Sequence, residues 1–162
     1  MTAEREYTDE EWGLIVGLPL SVVVAASHVE SDGPKATQSE SEAGMEAISV
    51  GRESASPLVT QVAMELLARA GDPEAGEEAP QISPGDPAAF AADVIARARE
   101  AAEILSEKVP AEEAEAYRHW LVSIADDVIT AAKSGAVLGI GGERVTPAER
   151  TFRDDLAEIL AV

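Results

Sequence analysis

Two histidines, His28 and His119, and a surplus of carboxylates are the residues of this chain with most scope for chemistry. A di-iron centre in a helical bundle takes Glu-x-x-His, which sets its two ligands on one helix face. Ala116 stands three residues before His119 and Ala25 three before His28, so neither histidine carries that spacing. The His-Glu-x-x-His pattern of zinc proteases is also absent. Both histidines therefore read as surface residues or as hydrogen-bonded members of the core. With no cysteine, the chain has no thiol nucleophile, disulfide or thiolate-ligated metal. Serines crowd the stretch 31–56, but no Gly-x-Ser-x-Gly elbow presents one as a nucleophile.

The run Gly139-Ile140-Gly141-Gly142 precedes a helix start, where backbone N–H groups can hold an anion. A dinucleotide fingerprint needs a strand before its glycines, and a helix is expected here. No Gly-Lys-Ser/Thr follows, so the run reads as a tight loop. The carboxylates are more suggestive. Asp32 and Glu40 flank one loop, Glu143 and Glu149 flank another, and Asp126-Asp127 and Asp154-Asp155 lie on neighbouring helices. Oxygen ligands converging at loops suit Ca²⁺ or Mg²⁺, so Asp32, Glu40, Glu143 and Glu149 form the candidate metal set. The EF-hand spacing is missing from both loops. Glu40 and Glu149 also occupy the last position of a Thr-x-x-Glu capping box, and the plainer reading is that each serves its own helix. No resident cofactor is expected, with Ca²⁺ or Mg²⁺ as the alternative.

The elements that would position these groups are helices. Thr8 and Glu11 make a capping box, with Tyr7 and Trp12 at the staple positions, and open a helix running toward Val29 with a kink or break near Pro19. Asp32-Gly33-Pro34 is a turn, and Thr37 caps a short second helix. Ser56-Pro57 starts a third, with Leu58, Val62, Leu66 and Ala70 on one face. Residues 71–85, rich in Gly, Pro and Glu, read as a flexible loop. Asp86-Pro87 starts a fourth helix with Phe90, Val94, Ala98, Ala101 and Leu105 inward, and Val109-Pro110 ends it. The fifth carries an apolar stripe of Tyr117, Trp120, Leu121, Ile124, Val128 and Ala132. Thr146-Pro147-Ala148-Glu149 starts the sixth, with Phe152, Leu156, Ile159 and Leu160 inward. Trp12 to Thr37 and Trp120 to Thr146 look like two helix–loop–helix halves. Their apolar positions do not superpose, so chance recurrence of a common cap accounts for the likeness better than duplication.

At 162 residues the chain is long enough for one all-α domain of about six helices with a real core. Its net charge of −19 repels phosphates and anionic headgroups, so nucleic acid and membrane surfaces are not expected partners. Abundant glutamate with scarce lysine fits a salt-loaded cytoplasm, and a GC-rich genome would leave the same mark. Residues 12–29 carry no formal charge. Glycines, Pro19 and acidic flanks make that stretch read as a buried core helix rather than a membrane span.

The stretch from Tyr117 through Trp120-Leu121 and Ile124-Ala125 to Ala132-Lys133, Leu138-Gly139, Gly141-Gly142, Arg144-Val145 and Glu149 resembles a group of small helical prokaryotic proteins. Asp9-Glu10-Glu11-Trp12 and the apolar run after it look like the same group. That resemblance implies an all-helical fold and no particular activity. More remotely, helix, Asp-Gly loop, Thr-x-x-Glu and helix resemble the TerB-like families linked to tellurite resistance, which implies two related halves and an acidic surface involved with metal. Asp32, Gly33 and Glu40 match in the first half, and Gly142 and Glu149 in the second, where Gly141 stands in place of the expected aspartate. The expectation is a cytoplasmic, non-enzymatic acidic helical protein that binds a protein partner or its own copy, with a stress response as its setting. The alternative is a TerB-like divalent-metal protein.

Overall fold

A computed structural model describes residues 7–28, 34–70, 85–135 and 147–161, excluding the side chains of 28, 34–41, 70 and 132–135. Six α-helices follow one another: α1 Asp9–His28, α2 Pro34–Val50, α3 Pro57–Ala70, α4 Pro87–Lys108, α5 Ala111–Gly135 and α6 Pro147–Leu160. A 3-10 turn, Gly51–Glu53, joins α2 to α3, and no strand occurs among the described residues.

The helix starts follow from side-chain chemistry. Glu11 N–H donates to Thr8 Oγ1 at 3.1 Å and Thr8 N–H donates back to Glu11 Oε2 at 2.9 Å, which closes the capping box of α1. The Tyr7 and Trp12 rings meet across it in a tilted pair, their centres 5.3 Å apart. Asp86 accepts from Ala89 N–H at 3.3 Å ahead of Pro87, whose missing N–H leaves nothing unsatisfied at that position. Pro110 drives Val109 to an extended backbone (φ −128°, ψ 158°), so α4 stops and α5 begins afresh.

One expected start is corrected. α2 begins at Pro34, not at Thr37, which lies inside the helix. A proline fixed near helical φ can serve as the first helical residue directly after a turn, and this one precedes the threonine. The two supposed halves therefore differ: Thr37 is within α2, whereas position 146 comes before α6. The turn expected at Asp32-Gly33, the cap expected at Thr146 and residues 71–84 of the expected loop lie outside the described residues.

α1 and α5 are the central pair, and each packs against all the other helices. Ile15, Val22, Leu58, Val62, Leu105, Leu121, Ile124 and Leu156 are fully enclosed, which bears out the apolar stripes of the sequence. α1 is long and apolar enough to cross a membrane by length and composition alone, and 56% of that window is buried inside the protein.

Candidate functional site

The four carboxylates proposed as metal ligands fare unevenly. Glu149 sits in the first turn of α6 and is only 2% exposed, a carboxylate taken out of water where the sequence suggests a surface cap. Glu40 lies in α2 with its side chain outside the described set, and Asp32 and Glu143 lie outside the described residues. Among those described, no three His, Asp or Glu side chains stand close enough to share a metal ion. His119 is exposed, with Nε2 3.5 Å from Glu115 Oε1 on the same helix.

Asp126 and Asp127 lie on α5, and their environments diverge. Arg153 of α6 holds Asp126 through two hydrogen bonds, Nε to Oδ1 at 2.8 Å and a longer second contact at 3.4 Å. That pairing, chiefly its hydrogen bond, raises the guanidinium pKa further above its already high ordinary value. Asp127 is pushed up from the ordinary aspartate value, first by partial burial, then by the neighbouring charges of Asp126 and Glu46.

A second set of polar groups gathers at the N-terminal end of α1. Lys108, last residue of α4, donates to Glu11 Oε2 at 2.6 Å and lies 5.6 Å from the centre of the Tyr7 ring. Lys108 and the Thr8 N–H together hold Glu11 below the ordinary glutamate value. Trp12 Nε1 donates to Glu65 of α3 at 2.7 Å. Beside this node runs a shallow groove of about 450 Å³ between α1 and α4, floored by Leu14 and Ile104 and rimmed by Glu10, Glu100 and Arg97. Its carboxylates and shape could receive a cationic group.

Two buried donors and one half-buried donor carry no signature in the local sequence. The Tyr117 hydroxyl donates to the Ile15 carbonyl at 2.7 Å. Trp120 Nε1 donates to the Ala47 carbonyl at 3.2 Å, in the last turn of α2. Arg118 Nη1 donates to the Leu160 carbonyl at 3.1 Å, at the end of α6. All three belong to α5 and satisfy backbone acceptors of other helices. Burial drives the Tyr117 phenol far above its ordinary pKa, with Tyr7 adding to the effect, so it is a fixed donor and not an acid–base group. One signal is legible on the acceptor side: Pro19 inside an apolar helix requires an outside donor for the carbonyl four residues earlier. Compared with known proteins, the chain matches no family model, no curated protein and no solved structure.

Proposed function

We propose that this protein acts by binding, as an acidic helical component that engages a partner protein through its charged surface, in the cytoplasm and without catalysis of its own. The observation that carries this reading is the pairing of charge and fold. A net charge of −19 is mounted on a bundle in which several of the described polar side chains tie different helices together. Lys108–Glu11, Arg153–Asp126, Trp12–Glu65 and Arg118–Leu160 each join two different helices. Such a field speeds encounter with a basic partner and opposes self-association at low salt.

The test is affinity capture from extracts of the source cells on the immobilised full chain at about 0.15 M and about 1 M KCl, with light scattering of the chain alone. The expected result is one stoichiometric basic protein, retained at the lower salt and released at the higher, while the chain alone stays monomeric. A chain that captures nothing stoichiometric, or that turns over a substrate in a broad hydrolase and transferase panel, would refute the reading.

The second reading is the TerB-like divalent-metal protein. Glu149, one of the four proposed ligands, is buried and already has a partner within the protein, so a metal would add to that contact. Titrating CaCl₂ or MgCl₂ at constant ionic strength, with Asp32→Asn and Glu143→Gln alongside, decides it. A saturable rise in melting temperature that either substitution abolishes supports metal. A rise that follows ionic strength alone rejects it.

A further inference from the structure

Proline has no N–H, so Pro19 leaves the Ile15 carbonyl without the donor that an uninterrupted α1 would supply. That acceptor sits in the core, where an unpaired carbonyl is costly. The donor comes from another helix: the Tyr117 hydroxyl of α5, at 2.7 Å. The surrounding stretch of α1 is weak for its own reasons. Gly13 and Gly17 each loosen a helix interior, and a Cβ at either would meet nothing within 4 Å, so packing does not require glycine there. The Ser21 hydroxyl donates back to the Gly17 carbonyl at 3.1 Å, a bond that competes with the helix ladder and favours bending.

The two ends of α1 are anchored to different partners. On the N-terminal side, Glu11 binds Lys108 of α4 and Trp12 binds Glu65 of α3. On the C-terminal side, Val23 packs against Gly44 of α2, beside Val128 of α5. We infer that α1 is two rigid segments joined by a hinge at Gly17–Pro19, and that the Tyr117 hydroxyl is the latch that holds the hinge closed. On opening, the N-terminal segment moves with Ile15, whose carbonyl exchanges the phenol for water. Neither group is stable unpaired in an apolar core, so the device has two states instead of a graded bend. The open state uncovers Tyr117 and the inner face of α1 around Ile15 and Leu18, which the closed state hides.

Hydrogen–deuterium exchange on the full chain tests this. Tyr117→Phe removes only the hydroxyl. Amides of Leu14–Val23 are expected to exchange roughly three- to tenfold faster, the loss of one net hydrogen bond, while amides of α3 and of Ile124–Ile129 keep their rates. Pro19→Ala returns an N–H to the helix, and in that background Tyr117→Phe should change the same amides less than about twofold. Uniform acceleration across the chain, or an equal effect with and without Pro19, would overturn the hinge. If Tyr117→Phe does not fold, Pro19→Ala alone decides: slower exchange at Leu14–Val23 supports the hinge, and unchanged exchange overturns it.

Discussion

Glycine does opposite work in α1 and α2. In α2, a Cβ on Gly44 would lie 2.5 and 2.7 Å from the two Cγ atoms of Val23, and one on Gly51 would lie 2.7 Å from the Trp120 ring. These glycines let α2 and its following turn approach their neighbours closely. In α1, a Cβ added to Gly13 or Gly17 would find no atom within 4 Å. There the missing side chain loosens the helix without bringing anything nearer. The α2–α5 face is therefore the packed wall of the molecule, while the N-terminal half of α1 adds discrete polar ties to the burial of Ile15, Val16 and Leu18. The difference shows that a glycine's meaning is set by what stands opposite it.

The largest expected effect falls on the packed wall. Trp120→Ala removes a ring set against Gly51 and the donor to the Ala47 carbonyl. It is expected to cost about 3–5 kcal/mol, read from urea unfolding. A loss below about 1 kcal/mol would mean that this face collapses easily and is not the rigid one.

The matched glycine pair comes next. Gly44→Ala gains helix propensity but forces a methyl onto Val23, whose branched side chain turns poorly. A net loss of about 1–2 kcal/mol is expected, and Val23→Ala in the same chain should recover part of it. Gly13→Ala meets open space and should gain about 0.5–1 kcal/mol. Changes of the same sign at both positions would dissolve the contrast between the two regions.

Much of the fold is legible in the sequence because it is written locally. Thr8 with Glu11, Asp86 with Pro87, and Val109 with Pro110 mark boundaries through contacts only a few residues long. The apolar stripe of α5 is likewise a matter of period, and its described members are buried as expected. The start of α2 is misread from sequence because Pro34 and Thr37 compete for one role and nothing local ranks them. The partners in the ties between helices are not legible, even where Pro19 marks an acceptor that needs one. Tyr117 and Ile15 are 102 residues apart, and Trp120 and Ala47 are 73 apart. Periodicity says which face turns inward but not which helix that face will meet. Glu149 escapes for the same reason: a carboxylate in a first turn is usually solvated, and only the packing of α6 buries it.

The smallest expected effects are electrostatic and have opposite signs in the two regions. Close packing of α2 on α5 brings Glu46 near Asp127, and partial burial with the like charges of Asp126 and Glu46 raises the Asp127 pKa above its ordinary value. A carboxyl raised on folding costs stability when ionised. That cost is present at neutral pH and is relieved as pH falls through the raised value. Glu11 is the reverse. Its pKa is lowered by the hydrogen bond from Lys108 and by the Thr8 N–H, so its contribution is present above the unfolded value and lost as pH falls through the folded one. Asp127→Asn should therefore raise the melting temperature at pH 7, by the equivalent of a few tenths of a kcal/mol at this solvent-screened site, and the gain should vanish near about pH 3. Glu11→Gln should lower the melting temperature at pH 7, and that loss should fade over the same acid range. Melts of both variants and the parent between about pH 3 and 7 would show two difference curves of opposite sign converging at acid pH. If Asp127→Asn lowers stability at pH 7, the α2–α5 wall does not gather repelling charge, and the electrostatic side of the contrast fails while the packing side stands.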